Sequence, residues 1–468
     1  MVIIIRPKNR SIPSGIISTQ YPINLGYISS WLKKNGIDVV ILDFEVEKSD
    51  NKRLINLIKD KNPILIGVSC TTSNVKSGHK IAECVKRIYP DLPIVIGGVH
   101  ASALPERTLK EFSSFDIVAK GEGEETLLEL YNAIRENEDL AKVRGLVYRD
   151  NNGNLIDTGT REVIQDLDKL PFPDRENLNM SLYKKTHVTR GISRLNRNVA
   201  EILTARGCPY DCIFCASKVA MGKPVRYRSV NNIISEIEEC ITKYSVDHFS
   251  VLDDTFTFRE DILYQVCDYF KSRRVSWDCL TRLDRVSEVM IKKMVDSGCE
   301  KISFGVESGS EKILKIIGKD VTIAQIKEIF KFCKKSGLRY LEASFMLGNH
   351  PLETKEEVRS TLDLAIELDP DIMTVSIAVP FPGTELNRLM KERNYLGREN
   401  WDEFVLFGSS PSWKYEYLDL TTLKGLQSKL YKRFYWRFSY ILKQLKKLRS
   451  FKELNYWLEI AFNMFRAV

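Results

Sequence analysis

Along the first third of the chain, short β-branched runs alternate with segments whose apolar positions recur every three or four residues. The runs Val2–Ile5, Val39–Leu42, Ile64–Ser69, Ile94–Ile96 and Asp116–Ala119 predict strands, and 24–35, 51–61, 75–89, 105–112 and 124–137 predict the helices between them. Five such units predict a doubly wound, Rossmann-like parallel sheet. A second series predicts strands at Val199–Thr204, His248–Leu252, Ser276–Leu280, Lys301–Phe304, Arg339–Phe345 and Ile372–Ala378, with helices at 229–244, 260–273, 287–297, 311–317, 323–336 and 354–368. Six strands followed by helices fit a partial (β/α)6 barrel, whose chemistry belongs at the carboxyl ends of its strands. Between the two series, 139–195 reads as a connector with a hairpin signal at Asn151-Asn152-Gly153-Asn154. The predicted α/β organisation is a sheet over 1–138, a connector over 139–195, a barrel over 196–400 and a helical extension over 401–468.

A chain of 468 residues, 43% hydrophobic and 28% charged, is long enough for two or three ordinary globular cores. Apart from one loop its ten cysteines are scattered through apolar stretches, a reduced, cytoplasmic pattern rather than a disulfide framework. Met1-Val2-Ile3-Ile4-Ile5-Arg6-Pro7 reads as a first strand rather than a signal peptide, and no run of 18 apolar residues predicts a membrane span. The net charge of +8 is concentrated in 421–468, where 11 Lys or Arg face only Glu453 and Glu459, so the rest of the chain sums to about −1. Within 430–448, Leu430, Phe434, Phe438, Ile441, Leu442, Leu445 and Leu448 fall on one helical stripe opposite Lys432, Arg433, Lys443, Lys446 and Lys447. That predicts one amphipathic helix, either packed on the barrel with a solvated basic face or lying peripherally on an anionic membrane. Nucleic acid is the weaker reading, because no recognised binding module accompanies the charge.

The loop after the Val199–Thr204 strand reads Arg206-Gly207-Cys208-Pro209-Tyr210-Asp211-Cys212-Ile213-Phe214-Cys215. A four-iron cubane normally takes four thiolates; here three lie close together and the next cysteine is Cys240, so one iron is left for a ligand that is not protein. Structural zinc would want a second ligand pair, and a thioredoxin-type pair of Cys212 and Cys215 leaves Cys208 unexplained. The spacing resembles the radical S-adenosylmethionine (SAM) superfamily. The resemblance implies a [4Fe–4S] cluster on Cys208, Cys212 and Cys215, SAM chelated at the open iron, an external electron donor, and reductive cleavage to a 5'-deoxyadenosyl radical. It places Phe214, the aromatic before the third cysteine, near the adenine.

The predicted barrel strand ends continue the resemblance in order. Asp253 and Asp254 match the position that accepts hydrogen bonds from the SAM ammonium, with a helix N-cap pair as the alternative. Arg282 matches a partner of the SAM carboxylate, with a surface ion pair as the alternative. Glu307 and Ser308, within Gly305-Val306-Glu307-Ser308-Gly309, match the ribose or amino-group site, Gly348 lies in the fifth strand-end motif, and Val379 offers backbone to the adenine. His350 is inserted between Asn349 and Pro351 of that fifth motif and is a candidate proton donor to substrate or a loop cap.

The first sheet's predicted strand ends are small and glycine-rich, which permits close approach of a large flat ligand. Together with Asn24-Leu25-Gly26-Tyr27 and Leu170-Pro171-Phe172-Pro173 they resemble the cobalamin-binding domains found in front of many radical SAM enzymes. Contacts to cobalamin are implied for Ser69, Thr71, Gly97, Gly98, His100, Gly121 and Glu122. The Asp-x-His-x-x-Gly motif that supplies a histidine lower ligand is missing, since Ser11-Ile12-Pro13-Ser14-Gly15 holds no histidine. Cobalt would then be water-ligated, lightly capped or five-coordinate, with His79 and His100 as weak candidates. A sheet that has lost its cofactor is the alternative.

The whole pattern is that of the anaerobic cyclase and class B methyltransferase type. It implies a cobalamin-dependent radical SAM enzyme that methylates an unactivated carbon of a small-molecule or lipid-like substrate. The alternatives are an oxidoreductase or cyclase of tetrapyrroles or lipids without methyl transfer, and a non-catalytic iron–sulfur protein. A methylthiotransferase is disfavoured, because Cys70 and Cys84 alone cannot carry a second cluster in the first domain.

Overall fold

The computed structural model describes the chain except residues 10–19, 49, 186–196, 398, 407–412, 449, 452, 456, 457 and 459–468. The histidine-free stretch Ser11–Gly15 lies outside the described residues. Strands β1 (Val2–Arg6), β2 (Val39–Asp43), β3 (Leu65–Ser69), β4 (Ile94–Gly97) and β5 (Ile117–Ala119) pair in parallel in the order β2-β1-β3-β4-β5. All but the last residue of β1 and of β3 are buried, as in sheets covered on both faces. Strand order reverses between β1 and β3, so the carboxyl ends of those strands frame a ligand crevice. The expected hairpin forms from β6 (Leu146–Arg149) and β7 (Leu155–Asp157) and extends this sheet in antiparallel fashion beyond β5. Part of the expected connector thereby covers what would be an open edge of β5.

The second unit contains β8 (Val199–Ile202), a short antiparallel pair β9 (Ala205–Arg206) and β10 (Arg226–Tyr227), then β11 (His248–Val251), β12 (Ser276–Thr281), β13 (Cys299–Glu307), β14 (Tyr340–Leu347) and β15 (Ile372–Ile377). Six strands lie parallel in the order β15-β14-β13-β12-β11-β8, the open (β/α)6 arrangement. The connecting helices begin where the sequence supplies caps. Ser229, Ser287, Ser310, Thr322 and Thr354 each accept a backbone N–H of the first turn, and Thr322 and Thr354 form reciprocal capping boxes with Gln325 and Glu357. Each cap contributes about 1 kcal/mol.

Two buried charge clusters fasten the units together. In one, Arg206 of β9 holds Glu122 at 3.1 Å and Glu124 at 2.7 Å, and Arg226 of β10 holds Glu122 at 2.8 Å. In the other, Glu236 is gripped by Arg175 at 2.7 Å and by Arg228, with Arg228 reaching Tyr27 of the first unit at 3.5 Å. Glu122 and Glu236 each have two guanidiniums and Glu124 has one, so none of these buried carboxylates lacks a partner.

The extension departs from the expected single helix over 430–448. It breaks at Trp436 and Arg437 into helices Leu420–Tyr435 and Phe438–Lys447. The first helix covers the open edge of β15: Tyr435 Oη accepts Met373 N–H at 2.9 Å and donates to Met373 O at 2.7 Å, and Gln427 Nε2 donates to Val375 O at 2.6 Å. The break divides the apolar stripe, burying Leu430 and Phe434 and exposing Phe438, Ile441, Leu442 and Leu445. Among the described residues no helix is long and apolar enough to cross a membrane.

Candidate cofactor site

The loop leaving β9 turns at Gly207, whose φ of +93° and approach to the Pro224 carbonyl leave no room for a Cβ. Cys208, Cys212 and Cys215 follow as free thiols, Cys212 buried and the other two half-buried. Arg282, at the end of β12, lies flat over the Tyr210 ring at 3.6 Å and brings Nη1 within 3.3 Å of Cys212 Sγ. Its Nε and Nη2 are fixed by Asp284 at 2.8 and 3.0 Å. A rigid cation here faces the negative charge that a cluster on these cysteines would carry. Among the described residues no three Cys, His, Asp or Glu side chains close on a single ion. Three free thiols on one loop, faced by an arginine, fit a cubane.

Glu307 is re-aimed by a bulge. The pairing of β13 with β14 slips between Gly305 and Glu307, and Glu307 itself adopts φ +66°, a left-handed conformation that costs energy in a residue with a side chain. Buried Lys319 lies 3.3 Å from Glu307 Oε1 and donates to Gly305 O at 3.1 Å. The preceding Gly318 (φ +79°) presses on the cluster loop, where an added Cβ would stand 3.2 Å from Asp211 O and 3.4 Å from Cys212 Cα. Gly318-Lys319 thus joins the cluster loop to Glu307. Nothing in the sequence pattern marked Lys319 except its place after a glycine.

The acidic pair after β11 divides in two. Asp253 is buried, its Oδ1 accepts Thr204 N–H at 2.7 Å and Ala205 N–H at 3.4 Å, and Oδ2 accepts the Thr204 hydroxyl. Burial pushes its carboxyl up to about 6. It braces the strand that carries the cluster loop. Asp254 is exposed beside that loop and accepts the Ser217 hydroxyl.

Several other expected contacts are spent on the scaffold. Ser308 is buried against Thr361 at 3.2 Å and accepts Ser310 N–H at 3.2 Å. Gly348 (φ +71°) makes room for Tyr415, whose Oη would lie 2.6 Å from an added Cβ. Val379 O accepts Phe381 N–H at 2.8 Å, and Phe214 packs half-buried against the core. His350 accepts Leu352 N–H on Nδ1 at 3.2 Å, and burial, then the Arg393 charge, holds it below the usual histidine range. It caps this loop.

On the first sheet the β3, β4 and β5 ends present what a flat ligand needs. Thr71 and Gly121 are exposed, and Ser69, Gly97 and Gly98 are half-buried. A Cβ on Gly97 would meet nothing nearer than Ala119 O at 3.8 Å, whereas Gly98 (φ +92°) is pressed against the Cys70 carbonyl and must be glycine. Open backbone with small neighbours at the carboxyl ends of parallel strands fits cobalamin. Two expected contacts do not join it. Glu122, with its side chain only 7% exposed, belongs to the arginine cluster. His100 is buried with Nδ1 3.2 Å from Thr72 Oγ1 and its ring 5.0 Å from Trp401, and burial lowers it to about 4. His79 is likewise engaged, with Nδ1 2.6 Å from Ser114 Oγ.

The two mouths meet. Gly383, after β15, packs against Val219 of the helix following the cluster loop and Ala103 of the helix following β4; an added Cβ would lie 2.9 and 3.2 Å from them.

The B12 binding domain family matches residues 17–131 and the radical SAM superfamily matches residues 202–365. The chain belongs to the cobalamin-binding radical SAM enzymes. It is 32% identical over 453 residues to an uncharacterised methyltransferase of Pyrococcus horikoshii, covering 96% of this chain and 95% of that one. It is 26% identical to the anaerobic magnesium-protoporphyrin IX monomethyl ester cyclase of Rubrivivax gelatinosus, over 82% of this chain and 69% of the cyclase. The radical SAM methyltransferase TsrM of Kitasatospora setae, solved with cobalamin and a [4Fe–4S] cluster, has the same fold, with a TM-score of 0.68 at 21% identity over 85% of this chain and 76% of that one.

Proposed function

We propose that this enzyme methylates an unactivated carbon of a small-molecule substrate held between the first sheet and the barrel mouth. The observation that carries the reading is the contact of Ala103, Val219 and Gly383, which sets the glycine-lined strand ends beside the cluster loop. When bound, the cluster and SAM supply a radical that removes a hydrogen atom from carbon, and cobalamin supplies the methyl group. The chain's own part is placement. Cys208, Cys212 and Cys215 hold the cluster, and Arg282 stabilises their charge. Glu307 and Asp254 take the SAM ammonium and ribose, and Lys319, now paired with Glu307, turns to the SAM carboxylate. Ser69, Thr71, Gly97, Gly98 and Gly121 line the cobalamin face. A cyclase without methyl transfer is the second reading, favoured by the resemblance to the Rubrivivax enzyme.

The test needs no substrate. Anaerobically reconstituted, cobalamin-loaded and reduced protein is given SAM labelled in its methyl group. A methyltransferase moves the label to the corrinoid and leaves S-adenosylhomocysteine. Formation of 5'-deoxyadenosine and methionine alone, with the corrinoid unlabelled, refutes methyl transfer and leaves the cyclase reading.

A further inference from the structure

The helix Phe438–Lys447 is packed inside out. The side it turns to the barrel is polar: Tyr440 Oη donates to Asp371 O at 2.8 Å, Gln444 Nε2 to the same oxygen at 3.2 Å, Lys443 Nζ to Asp369 O at 2.9 Å, and Lys447 Nζ lies 2.6 Å from Asp371 Oδ1. The side it turns outward is apolar. Phe438, Ile441, Leu442 and Leu445, at the spacing that shares one helix face, are 74, 44, 41 and 49% exposed. Trp436 before it and Phe451 after it add to the surface, at 63 and 86% exposure. An ordinary surface helix does the opposite, because exposing aromatic and aliphatic side chains forfeits their burial. Adjoining patches of large apolar side chains mark contact sites.

Charge identifies the occupant. The segment 421–468 carries 11 basic residues against two glutamates. Of the basic residues, Arg433, Arg437, Lys443 and Lys447 are met by Asp363, Asp369 and Asp371 of the barrel; of the glutamates, Glu453 is held by Arg339 at 3.0 Å and Glu459 lies outside the described residues. Lys432 and Lys446 are exposed, and among the described residues neither is paired with an acid. A second copy seated here would set two such basic rims against each other. We propose that this face lies on an anionic lipid surface, with Phe438, Ile441, Leu442 and Leu445 inserted at the headgroup boundary and the lysines on the lipid phosphates. The proposal does not depend on the catalytic reading.

The experiment is flotation of the full-length chain with vesicles of phosphatidylcholine alone or mixed with phosphatidylglycerol. Binding to the mixed vesicles, weaker binding to phosphatidylcholine and weakening by salt are the results expected. F438S/L445S, which alters only exposed side chains, lowers vesicle affinity roughly tenfold or more with unchanged melting and iron content. K432E/K446E removes the preference for anionic lipid. Failure to float with mixed vesicles, or flotation that F438S/L445S leaves intact, overturns the proposal. So does a dimer in sedimentation equilibrium that F438S/L445S dissociates, since the face would then belong to a second copy.

Discussion

Replacing Glu122 by glutamine tests whether this carboxylate fastens the two units or serves the cofactor. Its side chain accepts from Arg226 Nη1 at 2.8 and 2.9 Å, from Arg206 Nη1 at 3.1 Å and from Ile164 N–H at 2.8 Å. Glutamine keeps the shape and loses the charge. Arg206 retains Glu124 at 2.7 Å, but Arg226 keeps only the Ile164 and Met221 carbonyls at 2.7 and 2.8 Å. Stranding one buried charge in this way costs about 3 kcal/mol, the lower end for a broken buried pair. At about 2.1 cal/mol/K of unfolding entropy per residue, a single transition of the whole chain would melt roughly 3 °C lower. Anaerobic thermal unfolding of E122Q measures this, and E122Q/R226M, which removes both charges, should recover most of the loss. The pH dependence gives a second check. Burial alone would raise the Glu122 carboxyl, but the Arg226 hydrogen bond and the Arg206 charge hold it below the usual range. Its stabilisation is therefore present above an unfolded pKa of about 4.3 and is lost as pH falls through the lower folded value, so the deficit of E122Q shrinks in acid. An E122Q protein that melts with the parent yet loses cobalt would refute the structural role and return Glu122 to the cobalamin site.

Lys319→Met should raise the Michaelis constant for SAM by roughly tenfold while iron content is unchanged, since one charge-assisted contact contributes about 1.5–3 kcal/mol; SAM-dependent 5'-deoxyadenosine formation measures it, and an unchanged constant contradicts the role. Glu353 is buried and pushed up to about 7. With the folded value above the unfolded one, its contribution is full below about pH 4.3 and is lost as pH rises through 7, so Glu353→Gln should gain stability relative to the parent above pH 7. Parallel melting curves for the two proteins from pH 5 to 8 would contradict that assignment.

The strands and the cluster loop were legible because their signals are local: β-branched runs give the sheets, and the three cysteines are close in sequence. What stayed hidden depended on partners far along the chain. Glu122 follows a strand end of the first sheet, where a ligand contact is natural, yet Arg206 and Arg226, more than eighty residues away, neutralise it. His100 and Trp401 are likewise far apart in the chain, and Asp253 braces the Thr204 backbone of a different strand end. Lys319 becomes relevant only because the β13 bulge turns Glu307 toward it. The continuous stripe over 430–448 concealed the break at Trp436 and Arg437. Arg437 leaves the helical conformation with its guanidinium 2.5 Å from Asp369, and Lys443 and Lys447 then find carboxylates on the barrel.

The central claim is that the β3–β5 strand ends hold cobalamin beside the cluster. Cobalt and iron are measured in anaerobically reconstituted protein after incubation with hydroxocobalamin and removal of the excess, for the parent and for Gly97→Val. An added Cβ at Gly97 would lie no nearer than 3.8 Å to the chain, and valine there would fill the face left for the ligand. Near-stoichiometric cobalt is expected in the parent and its loss in Gly97→Val, with iron content and melting unchanged in both. Cobalt retained in full by Gly97→Val would contradict it and place the corrinoid elsewhere.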